Sequence, residues 1–255
     1  GDWLEQLKGY LDDNFRLGKK DLNEVSRRFI DEDLGIRWMS FMRADALRGV
    51  DVDLLRRSGC SELQIGIESA DAEILRSMNK VANPELYTEV IQKLLHAGIN
   101  CSCYFIFGFP GETEETISRT IAFIRNLEPQ NVGGVLSWSI YPFILAPLSP
   151  IYATDMREKY GLSGYGFEWQ HRTMDAKQAQ MLIVKAFHEI DHSGSIYRGD
   201  DQDLLSCLTP HQRKEFAVTR HRLAKLAMQQ NLSKDQIMKA FSGILPARGS
   251  DNVTA

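Results

Sequence analysis

Five short clusters of polar or small residues each follow an apolar run, and each carries groups that could do chemistry. Asp12, Asp13 and Asn14 offer oxygens that accept from an ammonium or a ribose hydroxyl; the same residues also cap helices and build turns. Arg43 carries a planar guanidinium able to clamp a carboxylate at two points, or to pair with Asp45 on the surface to little effect. Glu68 and Ser69 supply an acceptor and a hydroxyl suited to a sugar, and Ser69 would equally cap the helix that follows. The segment from Phe107 through Gly108, Phe109, Pro110 and Gly111 to Glu112 and Thr113 is the most specific. Two glycines and a proline fix a tight turn into a helix, and glycine lets backbone approach a flat ligand closely. Acidic residues 112, 114 and 115 open that helix, which suits its dipole and excludes a phosphate loop there. The turn also departs from the GxGxxG dinucleotide fingerprint. Tyr141 and Phe143 could stack on a base, or simply pack.

The elements that position these clusters alternate. Residues 19–32 carry Leu22, Val25, Phe29 and Ile30 at helical spacing. Strand-like runs at 36–42, 63–67, 99–107 and 135–141, with a short apolar start at 9–11, are separated by helices at 52–57, 72–78, 84–97 and 112–127. Gly59 and Gly98 stop two helices. Five strands separated by helices predict βαβ units and a parallel sheet. In such folds ligands collect at the C-terminal ends of the strands, where all five clusters fall. Beyond residue 143 the character changes. A proline-rich loop leads to a helix over 151–160 and an irregular stretch over 161–175. Helices follow over 176–191, 210–230 and 234–241, the last capped by Ser233.

Composition sets limits. Hydrophobic residues make up 43% and charged residues 25% of 255, enough for a sizeable core. A net charge of −4 excludes a strongly basic nucleic-acid surface and leaves room only for a local patch. No apolar segment is long enough for a membrane span or a signal peptide. Four cysteines (60, 101, 103 and 207) do not make a disulfide framework, and the cytoplasm is the expected compartment.

Taken in order, YLDDNF (10–15), IRWMSFMRAD (36–45), SGCSELQIGIESA (58–70), LRSMNK (75–80) and AGINCSCYFIFGFPGET (97–113) resemble the radical SAM superfamily. They look most like the branch that often carries an N-terminal cobalamin-binding domain. The resemblance implies a partial (β/α)6 parallel barrel of about five strands over 1–145 and a mainly helical C-terminal extension over 146–255. It further implies that Asp12, Asp13 or Asn14 meets the amino group of S-adenosylmethionine, Arg43 its carboxylate, and Glu68 and Ser69 its ribose. Ile106, Phe107, Gly108, Phe109, Pro110 and Gly111 would pack on the adenine, and Ser139 to Tyr141 would add backbone contacts. The implied partners are a small-molecule or peptide substrate and an electron donor. The implied chemistry is reductive cleavage of S-adenosylmethionine at a [4Fe–4S] cluster, with cobalamin-assisted methyl transfer as one outcome.

One departure is large. The family holds its cluster with three thiolates in a CxxxCxxC loop, and no such spacing exists here. Cys101 and Cys103 lie two apart on a strand, so both face one side and belong to packing. The first barrel strand is also missing, so the cluster-bearing segment is expected in cis or in trans. A cluster-free nucleoside-binding module and a half-barrel completed by another chain are the alternative readings. In the second half, His171 beside Trp169 could line the barrel mouth or be a packed connector. His188 and His192 share a helical spacing but lack a third ligand for a metal.

Overall fold

The computed structural model describes residues 19–127, 133–196 and 207–245. Its centre is a five-stranded sheet in the order β1 (Trp38–Met42), β2 (Cys60–Glu68), β3 (Asn100–Phe107), β4 (Leu136–Pro142) and β8 (Gly194–Ser195). Every neighbouring pair is parallel. All strand C-termini therefore lie along one edge. The expected strand at 9–11 lies outside the described residues. The fifth strand seen here, β8, falls instead between two of the helices expected in the C-terminal extension.

Period-two alternation sorts the strand residues onto two faces. Leu63, Ile65, Ile67, Cys101, Cys103, Phe105, Phe107, Leu136 and Trp138 face one way and are buried. Burying a side chain of the Leu or Phe kind contributes roughly 1.5–3 kcal/mol, so this face holds the sheet to its helices. The opposite face carries Phe41, Gln64, Gly66, Tyr104, Ile106, Ser139 and Tyr141, in register across β1 to β4. It is the face that a barrel turns inward.

Helices α1 (Lys19–Asp31), α2 (Ala44–Leu47), α3 (Val52–Arg57), α4 (Ala72–Ser77), α5 (Pro84–His96) and α6 (Glu114–Leu127) link the strands. The apolar positions of α5 and α6 recur at helical spacing. Val90, Ile91, Leu94 and Leu95, and Ile117, Ile121 and Ile124, are all buried. Local chemistry sets the boundaries. Asp51 and Asn83 cap α3 and α5, and Gly59 follows α3 at φ +91°. Asp71, not Ser69, caps α4, accepting from the amides of Glu73 and Ile74.

The segment over 161–175 is ordered where the sequence predicts irregularity. It forms a three-stranded antiparallel sheet of β5 (Ser163–Tyr165), β6 (Glu168–His171) and β7 (Met174–Asp175). Its strands are two to four residues long, too short to show alternation. Before it, a 3-10 turn at Pro150–Tyr152 and α7 (Thr154–Tyr160) replace one continuous helix. After it come α8 (Ala176–Glu189), α9 (Pro210–Ala227) and α10 (Lys234–Ala240). Asp175, Thr209 and Ser233 each close a capping box with a glutamine three residues on. Among the described residues, no helix is long and apolar enough to cross a membrane.

Candidate functional site

The site candidates gather at the edge where β1 to β4 end. Arg43 directly follows β1. Its Nε and Nη2 donate to the two oxygens of Asp45 at 2.9 and 3.1 Å. This bond holds the Asp45 carboxyl below its usual range and the Arg43 guanidinium above its own. The pair is exposed to solvent, so the guanidinium remains reachable. At the end of β2, Glu68 adopts φ +71° and pairs with Lys80 at 2.8 Å. That conformation turns its side chain onto the Gly66 face: a Cβ on Gly66 would lie 2.7 Å from Glu68 Oε1. Between the two pairs stands Tyr87. Its hydroxyl reaches the Gly66 carbonyl at 3.5 Å and is held protonated by burial, with the charges of Glu68 and Asp45 adding to the effect.

The stretch from Ile106 to Gly111 divides between two environments. Ile106 pairs in register with Tyr141 on the open face. There Tyr104 stacks beside Tyr141 at 6.2 Å and lies 5.9 Å from Phe41. Ser139 shares that face, in register with Tyr104. Phe107 points the other way and is fully buried. Gly108 and Gly111 take φ of +92° and +101°, the left-handed region that turns the strand into α6. Phe109 packs edge-on against Phe143 at 5.6 Å.

Glu112 ties this turn together from behind. It is fully buried, and its Oε2 accepts from the Gly108 and Phe109 amides at 2.8 and 3.1 Å. Among the described residues its Oε1 finds no hydrogen-bond donor. Burial pushes its pKa up to about 8; the two amides offset part of that rise. Ser69 is itself fully buried, 3.4 Å from Thr120 Oγ1, and accepts from the Asp71 amide at 3.2 Å. It sits behind the rim, whereas Glu68 stands on it.

The short antiparallel sheet braces the same turn. Trp169 donates to the Phe143 carbonyl at 2.8 Å, and its ring fills the space that a Cβ on Gly108 would need, 2.4 Å away. His171 stacks flat on Trp169 at 5.3 Å. Its Nε2 lies 3.3 Å from the Gly108 carbonyl and its Nδ1 3.0 Å from Thr173 Oγ1. Thr173 in turn donates to the Glu112 carbonyl at 2.6 Å. His171 is thus a packed connector, and burial lowers its proton affinity. Glu112, Trp169 and Thr173 were not singled out in sequence as supports of this turn. Only the acidic residue just after the two glycines hinted at the role of Glu112.

Asp12, Asp13 and Asn14 lie outside the described residues. His188 falls in the last turn of α8, but His192 lies beyond the helix end, so the two do not share a helical face. No group of three His, Cys, Asp or Glu side chains suited to a metal occurs among the described residues. The cysteines do not fit a [4Fe–4S] cluster. Cys60, Cys101 and Cys103 are buried on the helix-facing side, and burial pushes their thiols up, that of Cys60 to about 12. A cluster ligand must ionise, and these thiols are held neutral. The rim itself fits a nucleoside with a zwitterionic tail. It offers a cation in Arg43, an acceptor in Glu68, apolar side chains in Ile106 and Tyr141, and side-chain-free backbone at Gly66 and Gly108.

Comparison with known proteins points the same way. Residues 5–124 match the family model of the radical SAM superfamily. The uncharacterized methyltransferase PH0819 of Pyrococcus horikoshii is 32% identical over 119 residues, 47% of this chain and 26% of that protein. The bacteriochlorophyllide d C-12(1)-methyltransferase of Chlorobaculum tepidum is 35% identical over 117 residues, 45% of this chain and 25% of that protein. The chain thus spans about a quarter of the length of these relatives. Coproporphyrinogen III oxidase (HemN) from Escherichia coli, a radical SAM enzyme by its description, superposes with a TM-score of 0.50 at 16% identity. The match covers 78% of this chain and 43% of that one, and it supports the fold alone. Over residues 5–124, the chain is thus similar to the radical SAM superfamily.

Proposed function

We propose that the rim at the C-terminal ends of β1 to β4 binds S-adenosylmethionine, and that this chain is part of a protein that modifies a small-molecule or peptide substrate by radical chemistry. The observation that carries the reading is the gathering of Arg43, Glu68, Gly66, Ile106, Tyr141 and the Gly108 turn along one edge of a parallel sheet. Arg43 receives the carboxylate of the methionyl group, exchanging Asp45 for it. Glu68, steadied by Lys80, accepts from the ribose hydroxyls. Ile106 and Tyr141 flank the adenine, and the glycines let backbone approach it. Asp12, Asp13 and Asn14 are proposed for the amino group on resemblance alone.

The [4Fe–4S] cluster that such chemistry requires has no ligand set here. Its thiolates are therefore assigned to a segment or chain outside these 255 residues, and so is contact with an electron donor. Methyl transfer is the finer reading, supported by the names of the two relatives; cobalamin assistance is the form implied by the resemblance.

Calorimetric titration of this chain with S-adenosylmethionine tests the binding. Heat is expected from the chain alone, with affinity about tenfold weaker in Arg43→Ala, equivalent to about 1.4 kcal/mol. No heat at millimolar ligand refutes the reading. 5′-Deoxyadenosine is expected only when a CxxxCxxC-bearing polypeptide is supplied; its formation by the chain alone would overturn the assignment of the cluster elsewhere.

A further inference from the structure

One of the bonds that hold the Gly108 turn comes from the second half of the chain. Gly108 has no Cβ to restrict it and stands at φ +92°. Beside a glycine a peptide unit turns over at little cost, which would exchange its carbonyl for its amide on the rim. Both peptides that flank Gly108 are held against this. Between Phe107 and Gly108, the carbonyl accepts from the Phe143 amide at 2.8 Å, and the N–H donates to Glu112 Oε2 at 2.8 Å. Between Gly108 and Phe109, the N–H donates to the same oxygen at 3.1 Å, and the carbonyl meets His171 Nε2 at 3.3 Å. Both N–H groups are thus engaged within the protein, and the turn meets a ligand with bare backbone.

A carbonyl only accepts, so His171 donates from Nε2. The surroundings of the ring permit this in either charge state. In the neutral ring, Nδ1 accepts from the Thr173 amide at 3.4 Å. In the charged ring, Nδ1 donates to Thr173 Oγ1 at 3.0 Å, because that hydroxyl spends its own proton on the Glu112 carbonyl at 2.6 Å. The ring is buried and lies flat against Trp169 at 5.3 Å. Trp169 is fixed in turn to the Phe143 carbonyl at 2.8 Å. Phe143 therefore holds one flanking peptide through its amide and supports the ring that holds the other.

We propose that His171 is a positioning residue for ligand binding at the rim: its Nε2–H, donated to the Gly108 carbonyl, keeps the Gly108–Phe109 peptide from turning over, so that the turn presents bare backbone to the nucleoside. His171 acts through Gly108. The proposal rests on the S-adenosylmethionine reading of the rim.

The test compares three full-length chains by calorimetric titration with S-adenosylmethionine. In His171→Gln the side-chain amide nitrogen takes the place of Nε2, whereas in His171→Asn it reaches only the place of Nδ1. His171→Asn is expected to bind about tenfold more weakly, the scale of one lost hydrogen bond, and His171→Gln to recover most of the affinity. Without ligand, hydrogen exchange at the Phe109 amide, read by NMR, is expected to quicken in His171→Asn and to return in His171→Gln, with the amides of α6 unchanged. A side chain that only fills space would give no such rescue. Equal affinity in the two variants overturns the proposal, as does Phe109 exchange unchanged in His171→Asn. No heat from the native chain refutes the S-adenosylmethionine reading and takes this proposal with it; heat from the native chain with no difference between the variants refutes this proposal alone. Should His171→Asn fail to fold, His171→Leu, which fills the space without a donor, is expected to show the same loss, and native affinity there overturns the proposal.

Discussion

Replacing Gly108 by alanine tests the packing of the site's central turn. Two costs add. At φ +92° an L-residue meets backbone strain of about 1–2 kcal/mol. The new methyl would also lie 2.4 and 2.6 Å from Trp169 ring carbons and 2.9 Å from the Ala179 Cβ. These neighbours cannot yield easily, because Trp169 is pinned by its bond to Phe143 and by the His171 stack. Overpacking of this kind costs about 1–3 kcal/mol. The total is about 2–5 kcal/mol, read as a lower urea midpoint with unchanged m-value. Trp169→Ala separates the two costs. In that background the clash with the ring is gone and only the milder Ala179 contact remains, so Gly108→Ala should cost little more than the strain, about 1–2 kcal/mol. The cycle therefore predicts a coupling of about 1–3 kcal/mol between the two positions. A Gly108→Ala variant within about 0.5 kcal/mol of the native chain, or one whose cost is the same with and without Trp169, would refute the reasoning.

Glu112 gives a pH prediction. Its pKa is raised from an ordinary 4.5 to about 8, so folding favours the protonated form. That contribution is complete below the unfolded value and is lost as pH rises through about 8. Glu112→Gln, which keeps a carbonyl for the two amides, should flatten the decline in urea midpoint over this range; parallel curves for both chains would sink the assignment. Asp71 works in the other direction. Burial opposes its ionisation, but the Ile74 amide, Arg119 and the Glu73 amide outweigh it and lower the pKa. Its stabilisation is present above the ordinary value of 3.8 and lost as pH falls. Asp71→Ala removes both the α4 cap and the bonds from Arg119 at 2.7 and 3.1 Å, at a cost of about 1–3 kcal/mol; a thermal melt unchanged at pH 7 would contradict this. Arg43→Ala should alter stability by less than about 1 kcal/mol, because its pair with Asp45 is exposed, while weakening S-adenosylmethionine binding. Equal loss of stability and affinity would make its role structural.

How much was legible in the sequence depended on the range of the interaction. Helices α3, α5 and α6 and strands β2 to β4 were readable because their apolar residues recur with a helical or alternating period over six or more positions. The cap at Ser233 was readable for the same reason, since a cap is a bond to an amide two or three residues on. The neutrality of Cys101 and Cys103 also followed from alternation, which sends both to the buried face. The rim order of Arg43, Glu68, Ile106 and Tyr141 came from strand ends, which a parallel topology places on one edge.

What only tertiary structure decided involves residues far apart in the chain. Trp169 and His171 lie about sixty positions from Gly108, and nothing local marks a tryptophan as the occupant of the space a missing Cβ leaves. The strands of the short antiparallel sheet hold too few residues for a period to register, so that segment read as irregular. β8 is two residues long and exists because β4 offers it an edge. The loss of Ser69 to the interior, while its neighbour Glu68 stays on the rim, follows from one positive φ that no residue type announces. Local periodicity and capping are written into neighbouring residues, whereas clashes and orphaned polar groups arise between distant ones, so only the folded chain reveals them.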